Sequence, residues 1–296
     1  MSKINILVAY PYFSKTVHEE LKKQSTDDYR LIVDSGAFSA YNSGHIIELD
    51  KYCEFLKTLE GLNYNAVQLD VVFNPEATKN NYKEMKSRGF DVCPVFTRGD
   101  DFNYLDELTA RGEYIFVGGV QGINPEAKYF AKQVLERTKG KKIHYLAFVR
   151  PDFLNHYKPY STDSSTWSGG SRFGKMYFYA GGGRISSMDR THFKNELPIK
   201  FKNAVKKYGV DDYIVKELAK NETWHCNRNN KRTIEIDGEI IEGRKLLPLF
   251  SAIAYVYYMY EAEKKLGTKI YLACCTVDQV KCIFNAQRFL RNRGLI

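Results

Sequence analysis

Short apolar runs alternate with segments of helical periodicity along the first part of the chain, and this rhythm most constrains the fold. The apolar, β-branched runs are residues 4–10, 31–33, 66–72, 92–96, 114–117, 143–148 and 176–179. Helical periodicity lies between them, at residues 18–23, 47–59, 77–88, 102–110 and 126–139. Alternation of this kind predicts parallel βαβ units, and about seven or eight of them predict a (β/α)8 barrel. A doubly wound open sheet is the alternative.

The remainder of the chain predicts mainly helices with one late strand. Helices are predicted at 201–208, 213–220, 246–266 and 277–291, and a strand at 269–274. Residues 233–241 alternate around Asp237-Gly238, which predicts a β-hairpin. We therefore expect one domain over residues 1–296, in which residues 191–296 complete the barrel and add helices.

Composition and the start of the chain indicate a globular protein without a membrane span. The chain of 296 residues is 44% hydrophobic and 27% charged, which allows a large core. It has no apolar run of about 18 residues, and its N-terminus enters a strand without the pattern of a signal peptide. We expect a cytoplasmic protein, located in the host cytoplasm if it is phage-encoded, and leave its oligomeric state open.

Charge and cysteines bear on partners and cofactors. A net charge of +9 favours polyanionic partners, although solvated surface lysines would give the same number. The six cysteines include no CxxC pair, so free thiols are the expected state. We expect no cofactor and no metal; a zinc site formed by Cys226, His225 and the later cysteines stays open as the alternative.

Polar residues lie in or just after the predicted strands. Asp34, Asp70, the Gly118-Gly119 pair, His144 and Asp163 all occupy such positions. In a (β/α)8 barrel the loops that follow the strands form the active face, so these residues are expected to converge there. This convergence favours an enzyme over a scaffold.

Two aspartate motifs are candidates for the chemistry. Asp163 lies in a run of serines and threonines, whose hydroxyls can orient an ionised carboxylate that acts as a nucleophile. Asp34 precedes Gly36, which permits a tight turn, and Phe38, which offers a stacking face. For each aspartate taken alone, capping of a helix N-terminus is the competing interpretation.

The segment 167–190 mixes glycines, aromatic residues and the basic residues Arg172, Lys175 and Arg184. We interpret it as a long functional loop whose triple glycine lets the backbone approach a ligand. Together with the lysines at 200, 202, 206 and 207, it is predicted to line a nucleic-acid path. A flexible linker and solvated surface charges are the alternatives.

Six motifs in order, over about residues 4–180, resemble the tRNA-guanine transglycosylase superfamily. They are DSGAFSAY, QLDVV, PVFTRGDDF, FVGGV, HYLAF and YSTDSSTWSGGSRFG. DSGAF matches the superfamily's DSGGF motif, VGGV its Gly-Gly segment, and the last motif its nucleophile strand. The motifs are most similar to the short phage- and bacteria-associated branch that inserts 7-deazaguanines into DNA.

The resemblance implies a role for each matched residue. Asp163 would be the covalent nucleophile on C1′, Asp34 the general acid and base, and Asp70 a ligand of the purine edge. The other substrate-binding positions are Ser35, Phe38, Gly118, Gly119, Val120 and His144. The partners would be DNA, with a guanine flipped into the pocket, and a free 7-deazaguanine base.

Three departures from the superfamily pattern qualify the resemblance. The tight CxCxxC zinc cluster is missing, and the strand that carries a base-binding glutamine in the tRNA enzymes reads Val95-Phe-Thr-Arg98 here. No appended RNA-binding domain is visible, which favours DNA over tRNA. Exchange on tRNA, a barrel glycoside hydrolase that uses Asp163 and Asp34, and a non-enzymatic nucleic-acid-binding barrel are the alternatives.

Overall fold

A computed structural model describes residues 3–120, 125–189, 197–220 and 231–296. Its strands are β1 (Ile4–Ala9), β2 (Tyr29–Asp34), β3 (Tyr64–Val67), β4 (Val92–Cys93), β5 (Val95–Phe96), β6 (Ile115–Val117), β7 (Ile143–Tyr145), β8 (Ser161–Ser164), β9 (Lys175–Gly181), β10 (Arg184–Asp189), β11 (Thr233–Ile236), β12 (Glu239–Glu242) and β13 (Lys269–Cys274). Its α-helices are α1 (Lys15–Lys22), α2 (Ala37–Asn42), α3 (Leu49–Lys57), α4 (Pro75–Ser87), α5 (Phe102–Ala110), α6 (Pro125–Arg137), α7 (Pro151–Tyr157), α8 (Thr166–Gly169), α9 (Ile199–Lys206), α10 (Asp212–Ala219), α11 (Gly243–Leu266) and α12 (Val277–Asn292). No helix in these ranges is both long and apolar enough to cross a membrane.

Nine of the strands form one sheet in the order β4-β3-β2-β1-β13-β8-β7-β6-β5. The two edge strands, β4 and β5, are separated along the chain by a single residue, Pro94. Proline has no N–H to donate, so it interrupts one strand that would otherwise pair on both sides. Counted as one strand, β4 and β5 bring the sheet to eight parallel strands and close it into a barrel, which confirms the predicted (β/α)8 class.

A buried glutamine side chain stabilises the closed barrel near Pro94. The Gln68 side chain accepts a hydrogen bond from the Val95 N–H (2.9 Å) and donates one to the Thr78 carbonyl (2.7 Å). The interior of the barrel is filled by one side chain from each of several strands, namely Leu7, Ile32, Val67, Val95, Phe116 and Tyr271. This packing gives the strand ends a rigid support on which polar groups can be positioned.

The described chain divides into two compact units. The barrel comprises Asn5–Ser164 and Lys265–Val277, and the second unit consists chiefly of Ser165–Lys264 and Asp278–Ile296. The chain thus leaves the barrel after β8 and returns to it at β13. The second unit contains two antiparallel ribbons, β9–β10 and β11–β12. Asp237 and Gly238 form the β11–β12 turn with positive φ angles of 54° and 80°, which confirms the predicted hairpin.

One strand prediction needs correction. Residues 176–179 were expected to continue the barrel, but they lie in β9, which pairs with β10. The triple glycine forms the turn of this ribbon, where all three residues have positive φ. Its approach to a ligand stays a prediction. The last barrel strand before this ribbon is β8. It is a run of four buried polar residues and not an apolar run.

Candidate active site

Three aspartates lie at the C-terminal ends of barrel strands. Asp34 is the last residue of β2, Asp70 follows β3 by three positions, and Asp163 is the third residue of β8. Each is at least partly buried, and the charges of Asp70 and Asp163 both raise the pKa of Asp34. The structure therefore brings together the three carboxylates that the sequence predicted to converge.

Asp163 is held through one of its two carboxylate oxygens. Its Oδ1 accepts hydrogen bonds from the Ala147 N–H at 2.7 Å and from His144 Nε2 at 3.2 Å. Within the described residues no group donates to its Oδ2. The side chain is buried within β8 and does not cap α8, whose N-cap is Ser165, so the helix-cap interpretation of Asp163 is wrong. The result is an oriented carboxylate with one unengaged oxygen.

His144 lies on β7, the strand that pairs with β8, and is fully buried. Its Nδ1 lies 3.0 Å from Ser161 Oγ, which in turn lies 2.7 Å from the Tyr114 hydroxyl. If Tyr114 donates to Ser161 and Ser161 to Nδ1, then Nδ1 is an acceptor and Nε2 is the ring nitrogen that donates to Asp163. This arrangement satisfies every polar group of the chain of contacts and fixes the rotamer of the carboxylate.

The Phe116 ring stacks on the imidazole of His144, with centroids 4.5 Å apart. Tyr271, on β13, contacts the same ring edge-on at 5.6 Å from two strands away in the sheet. The imidazole is buried and packed against aromatic rings, and its Nε2 faces Asp163. The sequence predicted His144 at the site but gave no signal for this positioning geometry.

The backbone at Ala147 is unusual. Its φ of 53° lies in the left-handed region, which non-glycine residues seldom adopt. The conformation aims the Ala147 N–H at Asp163 Oδ1. Strained backbone of this kind is concentrated at functional sites, where the surrounding structure holds it in place.

Asp34 is a carboxyl group whose pKa lies well above its ordinary value. Burial raises its pKa from 3.8 to about 7, and the charge of Asp70 and the weaker effect of Asp163 add to the rise. A hydrogen bond from the Gly36 N–H to Oδ2, at 2.9 Å, acts in the opposite direction. A carboxyl group that titrates near neutral pH can both donate and accept a proton, which is the requirement for a general acid and base.

Asp70 is bound to the DSGAF loop through Ser35. The Ser35 hydroxyl donates to Asp70 Oδ1 at 2.8 Å and accepts from the Ala37 N–H at 3.2 Å. Burial raises the pKa of Asp70, and the hydrogen bond from Ser35 lowers it. Ser35 is itself fully buried, so the structure gives it the role of orienting Asp70.

Gly36 explains why the DSGAF turn needs a glycine. It has a φ of 77°, and a Cβ at this position would lie 2.4 Å from Pro11 Cδ. Proline is a rigid ring, so it can yield little space. The turn that follows Asp34 thus packs directly against the segment that follows β1.

We expect Gly36→Ala to lower the free energy of unfolding by about 2 kcal/mol or more, since it adds left-handed strain and a steric overlap. Gly44→Ala is the matched control, because Gly44 has a φ of 72° but no atom within 4 Å of its hypothetical Cβ. Thermal unfolding of both variants separates strain from overlap. Equal losses in the two variants would show that the Pro11 contact is unimportant.

The remaining predicted substrate-binding residues occupy different environments. The Gly118 N–H donates to the Phe96 carbonyl at 2.9 Å, so this amide is engaged in the sheet. Gly119 is exposed, whereas Val120 is fully buried. Phe38 is 47% exposed, which leaves part of its ring open to a ligand. Within the Gly-Gly segment, Gly119 is therefore the more accessible residue.

The predicted nucleic-acid-binding residues belong to the second unit. Lys175 and Arg184 are exposed on β9 and β10, while the side chain of Arg172 lies outside the described part of the structure. His225 and Cys226, the candidate zinc ligands, also lie outside it. Among the residues that are described, no three His, Cys, Asp or Glu side chains are grouped to hold a metal ion.

Sequence analysis missed three contributors to the site: Ser161, Tyr114 and the backbone of Ala147. Ser161 was visible as part of the hydroxyl-rich run, but its partner could be found only from the register that places it opposite His144. Comparison of the chain with protein-family models, curated proteins and solved structures finds no match. What can be said of function therefore rests on the motifs and on the geometry of this site.

Proposed function

We propose that the protein is a base-exchange glycosyltransferase that replaces guanine in DNA with a 7-deazaguanine through a covalent aspartyl-glycosyl intermediate. The observation that carries the proposal is the pairing of two carboxyl groups with different tasks. Asp163 is fixed through Oδ1 and presents Oδ2, while Asp34 has a pKa of about 7. One group suits nucleophilic attack and the other proton transfer.

In the first step Asp163 Oδ2 forms a bond to C1′ of the flipped nucleotide, and the C1′–N9 bond breaks. The bonding electrons leave with guanine, and the Asp34 proton passes to the departing base. In the second step N9 of the 7-deazaguanine attacks C1′, displaces Asp163, and its proton returns to Asp34. Two inversions give net retention, as in retaining glycosidases, and no external oxidant or reductant is consumed.

The surrounding residues support the two carboxyl groups. Asp70, oriented by Ser35, is placed to accept hydrogen bonds from the N–H groups of a purine edge. Phe38 and Gly119 offer a ring and an exposed backbone segment to the base. His144 orients Asp163 and is a positioning residue.

Exposed aromatic rings in the segments that follow β1, β2 and β3 favour a nucleic acid as the substrate. Tyr12 is 39% exposed, Tyr41 54% and Phe73 77%. Phe73 has a φ of 61°, and its ring meets the Tyr41 ring edge-on at 5.6 Å. Base–aromatic stacking contributes about 1–3 kcal/mol per base, so these rings are suited to nucleotides beside the flipped one.

Mass spectrometry of nucleosides tests the substrate directly. DNA and tRNA are isolated from cells that express the protein and supply a 7-deazaguanine precursor. We expect the modified nucleoside in DNA and not in tRNA. Its appearance in tRNA alone would assign the exchange to tRNA, and its absence from both, with release of sugar from an oligosaccharide, would favour a glycoside hydrolase.

Lys175 and Arg184, which are exposed at the two ends of the β9–β10 ribbon, are the proposed phosphate-binding residues. Arg184→Ala and Lys175→Ala should each weaken DNA binding irrespective of sequence and reduce the slope of log K against log salt by about one. Lys15→Ala, on α1 of the barrel, is the control, because its side chain is 89% exposed but lies outside this ribbon. Slopes equal to that of the wild type in both ribbon variants would place the DNA elsewhere.

A further inference from the structure

A second concave site lies at the opposite end of the barrel from the carboxylates. A cavity of ≈ 440 Å³ opens between the connections that lead into β7, β8 and β13. Its lining includes Lys139, Lys141, His156, Tyr157, Lys158 and Tyr160. The N-terminal end of a (β/α)8 barrel ordinarily serves stability and not reaction, so a chemically distinctive cavity there calls for an explanation.

The cavity is positively charged. Lys139, Lys141 and Lys158 are exposed, and no ion pair to any of the three exists within the described residues. Glu136 is the acidic residue of the lining, and it lies 3.6 Å from the ammonium group of Lys132. Three lysines around one concavity without a carboxylate partner produce a field that favours an anion.

Lys158 also has a strained backbone. It is the C-cap of α7, with φ 49° and ψ 58°, in the left-handed conformation. Glycine is the usual residue at such a position, because a Cβ there is unfavourable. A lysine in this conformation is uncommon, and its side chain belongs to the lining of the cavity.

The aromatic rings near the cavity and the volume of the cavity limit the class of ligand. The Lys269 ammonium lies 3.8 Å from the centroid of the Tyr160 ring, which adds a fourth cation beside the cavity. The Tyr157 ring packs on Phe153 at 4.7 Å and is held in place. A volume of ≈ 440 Å³ suits one small ligand and excludes a duplex.

We propose that this cavity binds a free nucleoside polyphosphate, with its phosphates at Lys139, Lys141 and Lys158 and its base beside Tyr157 and His156. The site is independent of the proposed base exchange and uses none of its residues. The simpler explanation is that these lysines only offset the partial negative charge at the C-termini of α6 and α7. The two explanations differ in what Lys158→Gly does.

ATP is the probe, because its adenine differs from the guanine derivatives proposed for the carboxylate site. Titration calorimetry is expected to show ATP binding to the wild type and to Asp163→Asn with equal affinity. Lys158→Gly should weaken ATP binding about 10-fold or more, since it removes a charge-assisted contact, yet leave the melting temperature unchanged or higher. The double variant Lys139→Ala/Lys141→Ala should weaken ATP binding further, and Lys15→Ala should not change it.

Inorganic triphosphate and a single-stranded oligonucleotide distinguish the sources of phosphate. Triphosphate should bind more weakly than ATP and compete with it, whereas the oligonucleotide should not displace ATP. The proposal is overturned if ATP does not bind, if it binds the lysine variants as tightly as the wild type, or if the oligonucleotide displaces it. A lower melting temperature in Lys158→Gly without any ATP binding would establish instead that the lysines only offset the negative charge at the helix C-termini.

Discussion

Asp163→Asn should reduce base exchange by at least about 1,000-fold while leaving the fold intact, because it removes the group that forms the glycosyl-enzyme bond. Asparagine keeps an acceptor oxygen for the Ala147 N–H and for His144 Nε2, which are 2.7 and 3.2 Å from Oδ1. The rate of incorporation of labelled guanine into DNA, together with DNA affinity, measures the effect. Exchange near the wild-type rate would remove Asp163 from the role of nucleophile.

His144→Phe is the companion to that variant, because it keeps an aromatic ring in the stack with Phe116 but removes the donor to Asp163. A positioning role predicts a lower kcat with nearly unchanged affinity for DNA. His144→Gln, which restores an N–H donor, should recover part of the lost rate. Identical rates for the two variants would show that the hydrogen bond to Asp163 is not needed.

Asp34→Asn should slow exchange by about 100- to 10,000-fold, the usual range for loss of a general acid. In the wild type the first step requires protonated Asp34, whose pKa is raised to about 7 by burial and by the charge of Asp70. Glycosyl-enzyme formation should therefore decline as the pH rises above about 7. The variant should lose this limb of the pH profile.

The same variant should slow exchange but stabilise the fold at high pH. Because the pKa of Asp34 in the fold exceeds its ordinary value of 3.8, the folded state binds the proton more tightly than the unfolded state. The contribution of Asp34 to the free energy of unfolding is fully present at pH values below 3.8, and it is lost as the pH rises towards about 7. Asp34→Asn removes that loss. The difference in unfolding free energy, variant minus wild type, should therefore be more positive at about pH 8 than at about pH 5. The N-cap of α2 is Gly36 and not Asp34, so the helix-cap interpretation of Asp34 is wrong. A large fall in melting temperature at both pH values, with little kinetic change, would assign Asp34 a purely structural role through its hydrogen bond from the Gly36 N–H.

Much of the barrel is encoded in local sequence patterns. Apolar runs that alternate with helical periodicity identify β1, β2, β6, β7 and β13, because strands buried on both faces are nearly continuously apolar. The strand β8 does not fit that rule. All four of its residues are polar and buried, and they are satisfied by partners such as the Tyr145 and Phe148 carbonyls, which accept from Thr162 Oγ1. Such partners are remote in sequence, so the pattern resembles a helix cap until the register is known.

The site was predictable in its residues but not in its interactions. Asp34, Asp70 and Asp163 stand out because each follows or ends a strand, and their convergence follows from barrel topology. The Ala147 N–H that holds Asp163 depends on a left-handed alanine, which no sequence rule indicates. The burial of His144 between Phe116 and Tyr271 depends on strand register and interior packing.

The covalent intermediate is the central claim, and trapping it is the most direct test. The protein is incubated with a guanine-containing DNA oligonucleotide without any incoming base, denatured, and its intact mass is measured. We expect a species equal in mass to the protein plus the oligonucleotide minus guanine, with the modification on the peptide that contains Asp163, and no such species in Asp163→Asn. Guanine exchange by the wild type without this adduct, or an adduct on a different residue, would contradict the account.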